Sequence, residues 1–219
     1  MQQLKESDSK DLNKSLDGNK ELMATSDYMV AFSGLANSYC VGIVDMVDST
    51  KISSKMNEIE WSQYYELFLN SMGRILPRFG GVVIKNQGDS LLFYFPESSK
   101  STKYGFMSCL ECSLAIIEEH DTICEDSKKQ GLPCLNYRVS ADYGRVVMMK
   151  SNNSPVQDLI GPPVNMCAKI NHTAESNGSV IGGDLYSMVK PIDDYKFKEV
   201  KGFSLGFKLA YPVYSFKRR

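Results

Sequence analysis

Val82-Val-Ile-Lys85, Asn86-Gln-Gly-Asp89 and Ser90-Leu-Leu-Phe-Tyr-Phe95 read in succession as strand, tight turn and strand. Two apolar runs of strand length meet at a Gly-Asp step, which is the pattern of a hairpin. Working outward, Trp61, Tyr64, Tyr65, Phe68, Met72, Ile75 and Leu76 precede the hairpin at the spacing of one helix, which Gly80-Gly81 ends. Ahead of that helix, Tyr39-Cys-Val-Gly-Ile-Val44 reads as a buried strand running into the polar stretch Asp45-Met-Val-Asp-Ser-Thr50. On the far side, a second long helix is predicted over roughly Lys103 to His120. After Gly131-Leu-Pro comes a strand over Asn136 to Asp142, with Gly144 to Met149 as its continuation or hairpin partner. Pro163 to Thr173 reads as helical, with Pro early and Asn165 near the first turn, and short strand, helix and strand patterns fill Ser179 to Phe216. The order strand-helix-strand-strand-helix-strand, with additional C-terminal strands, predicts an α+β sandwich of the ferredoxin-like kind.

Composition narrows the function. With 219 residues, 42% of them hydrophobic and 11% aromatic, the chain holds material for one buried core and excludes wholesale disorder. Lys+Arg 25 against Asp+Glu 26 leaves a net charge of −1, so nothing global recommends a nucleic acid or an anionic membrane as partner. No apolar run approaches the ~20 residues of a membrane span. Met1-Gln-Gln-Leu-Lys-Glu6 lacks a basic segment followed by an apolar one, so no signal peptide is expected. The six cysteines (40, 109, 112, 124, 134 and 167) do not suggest a secreted disulfide scaffold, and a reducing, cytoplasmic setting is the expectation. Residues 1–27 hold ten charged and seven apolar residues, too few to bury a core. We therefore read 1–36 as a tail or linker, partly disordered or a short helix, and 37–219 as the folded domain.

The chemistry starts from two acidic residues in comparable places. Asp45 ends a buried strand and Asp89 stands in the hairpin turn. Two carboxylates brought together at adjacent strand ends make a hard, oxygen-rich site suited to Mg²⁺ or Mn²⁺. Ser49-Thr50 directly after Asp45 offers a helix start whose N–H groups could cradle phosphate oxygens.

Taken together, these motifs resemble a class III nucleotidyl cyclase catalytic domain, of the adenylate and guanylate cyclase family. Val44-Asp-Met-Val-Asp-Ser-Thr50 is similar to that family's first metal motif, and Lys85-Asn-Gln-Gly-Asp89 to its Lys-x-x-Gly-Asp hairpin. Asp158-Leu-Ile-Gly-Pro-Pro-Val-Asn165-Met-Cys-Ala-Lys169 is similar to its Asp-x-x-Gly-x-x-Val-Asn-x-Ala-x-Arg segment, and Val200-Lys201-Gly202 to its Val-Lys-Gly turn. The resemblance spans about residues 38–216. It implies conversion of ATP to 3′,5′-cyclic AMP and pyrophosphate, with two divalent cations as cofactors, in a homodimer whose sites lie between two catalytic domains.

By matching position, the resemblance makes Asp45 and Asp89 the metal ligands and Lys85 with Asp158 the base-reading pair. It assigns Asn165 to the ribose, Lys169 to the transition state and Lys201 to the triphosphate, with Ser49 and Thr50 in the phosphate loop. The chemistry of the base agrees, since adenine offers a ring-nitrogen acceptor to a Lys and an amino donor to an Asp. Guanine would set an oxo group against Asp158. Two positions depart from the pattern. Asp48 stands where the family has Gly, with a helix cap as its expected role. Lys169 stands where the family has Arg, keeping the charge and losing the planar fork. Two alternatives stay open: a catalytically weak or inactive nucleotide-binding or regulatory module, and a cyclase preferring GTP or a pyrimidine nucleotide. Regulation would enter through the tail, a partner protein, or substrate and metal levels.

Other conspicuous residues have ordinary readings. Cys109 and Cys112 lie mid-helix and are expected in the core; Asp184 in Ile181-Gly-Gly-Asp184 is expected to be an N-cap. His172 is expected at a polar helix end, and the Trp61–Phe68 stripe is expected to be core or dimer surface.

Overall fold

The first strand, β1 (Val30–Met46), is longer than its apolar run suggests. In this computed structural model the described residues are 29–152, 157–200 and 211–219. Most of the expected tail lies outside them, but Val30–Ala36 belong to β1. Val30–Phe32 pair with Ser151–Met149, and after an irregularity Ala36–Met46 pair with Val147–Tyr137. Alternation along β1 sends Cys40, Val44 and Met46 into one core and Val41 and Ile43 into another. A strand covered on both faces reads as an unbroken apolar run, as Tyr39–Val44 does.

Two helices follow, α1 (Ser49–Ser53) and α2 (Glu58–Ile75). A capping box starts α2: the N–H groups of Ile59 and Glu60 donate to Asn57 Oδ1, each at 3.0 Å, and the Asn57 N–H donates to Glu60 Oε2 at 2.9 Å. Tyr64, Phe68, Ser71, Met72 and Ile75 form its buried face, while Trp61 stays 43% exposed. The hairpin is β2 (Val82–Gln87) and β3 (Ser90–Phe95).

The long helix expected over Lys103–His120 is two helices, α3 (Lys103–Glu118) and α4 (His120–Lys129), joined at Glu119. Helix α4 escapes a reading of apolar spacing because only Ile123, Cys124 and Ser127 are buried along it. Cys109 and Cys112 are fully buried in α3. Cys124 and Cys134, by contrast, are bonded to each other, with 4.6 Å between their Cα atoms, a pairing the sequence reading did not contain.

Strand β4 (Tyr137–Ser151) includes Gly144–Met149 as its continuation. It is followed by β5 (Gln157–Ile160), α5 (Pro162–Ile170), β6 (Ser179–Gly182), α6 (Gly183–Val189), β7 (Tyr195–Glu199) and β8 (Val213–Arg218). The N-cap of α6 is Gly182, so Asp184 sits inside the first turn rather than capping it. The strands run β2-β3-β1-β4-β6-β8-β7, with β5 on β4. The first four positions of that order are the ones a ferredoxin-like βαββαβ unit produces. The larger core packs α2, α3 and α4 on one face, and the smaller covers the other face with Val146, Leu159 and Cys167. No helix among the described residues is long and apolar enough to cross a membrane.

Asp142 in β4 is a carboxylate placed inside this frame, only 1% exposed. Its oxygens accept from Tyr211 Oη at 2.7 Å, the Tyr143 N–H at 2.9 Å and the Leu185 N–H at 3.1 Å. Burial outweighs these bonds and pushes its pKa from 3.8 up to about 6. The folded state therefore holds a proton that the unfolded chain has already lost. The associated stability is full below pH 3.8 and is lost as the pH rises through about 6. The cost at neutral pH is roughly 3 kcal/mol. Urea unfolding of Asp142→Asn and the parent should show their stability difference moving by that order in favour of the variant between about pH 4 and about pH 8. A difference that stays constant would show that Asp142 titrates as an ordinary carboxyl group.

Candidate active site

The turn between β2 and β3 consists of Gly88 and Asp89, with Gln87 paired to Ser90. Gly88 takes φ 69, a left-handed value that glycine adopts without steric cost and most residues avoid. The turn sets Asp89 next to Asp45, whose register partner on β3 is Ser90, and the Met46 N–H donates to Asp89 O at 3.0 Å. The two acids are thus brought together from separate strands. Burial, then the charge of Asp89, push the Asp45 pKa up to about 6 against the opposing pull of Arg138. A pair of carboxylates that repel each other in a partly dehydrated notch is relieved by a divalent cation, and all its donors are hard oxygens. The residues fit Mg²⁺ or Mn²⁺.

Ser49 is buried, and its hydroxyl donates to Asp89 Oδ2. That bond aims the carboxylate. It also commits the Ser49 side chain to Asp89; Thr50 beside it is exposed. Asp48 occupies the N-cap position of α1, yet its side chain makes no capping hydrogen bond. Its φ of 55 and ψ of 27 lie in the left-handed region, where Asp is among the few tolerated residues with a Cβ. The backbone conformation accounts for the glycine that the resemblance calls for at this position.

Arg138 is the residue that sequence reading missed. It is the β4 register partner of Asp45, and its Nε is buried with no hydrogen-bond partner. Its charge pulls the Asp45 pKa down, and a buried donor left open beside an acid is uncommon. Only the β1–β4 register reveals it, because Asn136-Tyr-Arg-Val139 reads as an ordinary strand start.

A second cluster lies on other elements. Lys85 in β2 and Asp158 in β5 form an ion pair, Nζ to Oδ2 at 2.5 Å, with side chains 34% and 23% exposed. Asp158 Oδ1 accepts the Leu159 N–H at 2.7 Å. The structure therefore joins, across 73 positions of sequence, the two residues expected to read the base. Gly161 starts α5 where an added Cβ would stand 2.4 Å from Arg145 O, so the motif's glycine is a packing requirement. Asn165 and Lys169 are four residues apart on α5, on one exposed side. His172 is exposed in the single 3₁₀ turn after α5. Lys201 lies outside the described residues. Among the described residues, no hydrogen bond or ion pair joins Lys85 or Asp158 directly to Asp45, Asp89 or Ser49.

Several solved structures share this architecture. The adenylyl cyclase CyaB from P. aeruginosa superposes with a TM-score of 0.75 at 17% identity, covering 84% of this chain and 96% of that one. The guanylate cyclase domain of RhGC from Catenaria anguillulae, in complex with GTP, gives 0.71 at 20% identity, covering 85% and 100%. The catalytic core of a rhodopsin-guanylyl cyclase with converted specificity, in complex with ATPαS, gives 0.68 at 20% identity, covering 89% and 99%. These likenesses establish the fold. A comparison with curated protein sequences finds no match. The family profile described as "Adenylate and Guanylate cyclase catalytic domain" matches residues 34–216, a span that takes in the Asp45–Asp89 notch, the Lys85–Asp158 pair and the exposed side of α5. On that match over most of its length, the chain belongs to the adenylate and guanylate cyclase catalytic domain family, the class III nucleotidyl cyclases.

Proposed function

We propose that this chain converts ATP to 3′,5′-cyclic AMP and pyrophosphate, as a homodimer in the cytoplasm. The Lys85–Asp158 ion pair carries the choice of base. It presents one cationic donor and one anionic acceptor side by side, matching the ring nitrogen and amino group on one edge of adenine. Guanine would bring its oxo group against the Asp158 carboxylate and leave buried polar groups unpaired, each costing about 1–3 kcal/mol. Adenylyl and guanylyl cyclases share this fold, so side chains of this kind, rather than the backbone, must select the base.

In the proposed reaction the ribose 3′-oxygen attacks the α-phosphorus of the same nucleotide. The bond to the bridging oxygen breaks, pyrophosphate departs, and the hydroxyl proton passes to water. Asp45 and Asp89 would hold the divalent cations, which would supply positive charge at the 3′-hydroxyl and the triphosphate. Because the attack is intramolecular, the chain's main task is to fold the nucleotide into line. Arg138, register partner of Asp45, and Thr50 bind phosphate oxygens in this reading, and Lys201 joins them on its matching motif position alone. Asn165 holds the ribose, and Lys169 meets the charge that develops on the α-phosphoryl group.

The test is product formation from each of the four nucleoside triphosphates with Mg²⁺ and with Mn²⁺. ATP should exceed GTP in kcat/KM by at least about fivefold, the least that one unpaired group costing about 1 kcal/mol implies. Lys85→Glu combined with Asp158→Cys should relax or reverse that ratio. Equal efficiency with ATP and GTP in the parent would refute the base assignment. Nucleotide binding without product from any triphosphate would favour the module reading, for which Lys169 in place of an arginine is the motivating feature.

A further inference from the structure

We propose that His120, Cys124 and Cys134 form a binding site for a thiolate- and imidazole-preferring cation of the zinc class, distinct from the Asp45–Asp89 notch. His120 and Cys124 stand four residues apart on α4 and so share one side of it, and Cys134 arrives from the loop that returns to β4. The three ligand atoms lie within 4.8 Å of one another. His120 Nε2 is 3.7 Å from Cys134 Sγ. In a tetrahedral zinc site, bond lengths of about 2.3 Å to sulfur and about 2.05 Å to nitrogen set an N···S edge of about 3.6 Å. The observed 3.7 Å, with the Cys124–Cys134 disulfide closed, is already close to that edge.

The surroundings support the same reading. Asp121 Oδ1 is 3.2 Å from His120 Nδ1, the carboxylate–imidazole arrangement that fixes a ligating histidine's tautomer and turns the Nε2 lone pair towards a metal. His120 Nε2 also lies 3.3 Å from Asn136 Oδ1, an oxygen that already accepts from Asn177 Nδ2 at 2.8 Å. Asn136 Oδ1 or a water completes the fourth position. The other cysteines, at 40, 109, 112 and 167, are buried elsewhere and do not contribute.

The site exists only in the reduced protein, because the disulfide occupies both sulfurs. A dithiol or phosphine reductant delivers two electrons and takes two protons onto the sulfurs, being oxidised itself. Zinc then displaces both thiol protons.

The full chain, stripped of metal and reduced, is titrated with Zn²⁺ against a chromophoric chelator. The expected result is one high-affinity zinc per chain, retained in excess Mg²⁺. Cys134→Ser and His120→Asn should each weaken it by at least about 100-fold, and Asp121→Asn by about 10-fold. Co²⁺ in place of zinc should show a thiolate charge-transfer band that Cys134→Ser abolishes, with the far-ultraviolet dichroism unchanged as a check on folding. Asp45→Asn should keep the zinc, which separates this site from the nucleotide site. The proposal is overturned if the reduced parent takes up no more zinc than Cys134→Ser, or if the oxidised parent binds as tightly as the reduced one.

Discussion

Asp45→Asn and Asp89→Asn are each expected to lower cyclase turnover by more than about 10³-fold while leaving the chain folded. The magnitude exceeds the ~10²–10³-fold cost of removing one charge-stabilising donor, because each substitution removes an anionic ligand from a cluster that must offset divalent cations. The substitution is nearly isosteric, and for Asp45 it also removes a charge that burial and Asp89 already disfavour. Thermal stability should therefore stay level or rise for Asp45→Asn. At Asp89, an amide oxygen can still accept from Ser49, which keeps the turn in place. Product formation at several Mg²⁺ and Mn²⁺ concentrations, alongside a melting curve, checks both parts. Near-normal turnover at low Mg²⁺ in either variant would remove these residues from the metal site.

A comparably large change should appear in the opposite direction when two dead proteins are mixed. No direct bond joins the Asp45–Asp89 notch to the Lys85–Asp158 pair, although Lys85 and Asp89 share one hairpin, and Asn165 and Lys169 lie on a separate helix. If each site takes its notch from one chain and its second group from the other, a two-fold dimer holds two composite sites. Asp45→Asn alone then spoils both sites of its homodimer, as does Asn165→Ala. In the mixed dimer, one site carries both lesions and the other carries neither. Equal mixing with random exchange makes about half the dimers mixed, each with one working site of two, so roughly a quarter of parental activity should return. Activity per chain should also fall on dilution, because a monomer holds half-sites only. Verified exchange without recovery would place the whole site within one chain.

The hairpin, its flanking helices and the strand into Asp45 were legible because their patterns are local. Apolar spacing marks Tyr64, Phe68 and Met72 as one face, and the Gly88-Asp89 step marks the turn. Helix α4 was not legible, since its burial is confined to Ile123, Cys124 and Ser127 and its ends carry no apolar signal. Asp48 illustrates a partial reading: its position at the start of α1 was foreseen, but not that a left-handed backbone rather than a side-chain cap defines it.

By itself, the sequence determined the order of elements apart from α4 and β5, the family motifs and the residue types at Asp45, Asp89, Lys85 and Asp158, because each is a property of a short stretch of chain. Tertiary structure decided which of these residues meet. The 2.5 Å contact of Lys85 with Asp158, the seat of Arg138 opposite Asp45, the commitment of Ser49 to Asp89 and the convergence of His120, Cys124 and Cys134 all depend on strand register and on the packing of helix against sheet. Those are set by the burial of many side chains at once, and a one-residue slip in register would turn a strand-borne side chain such as Arg138 or Lys85 to the other face of its strand.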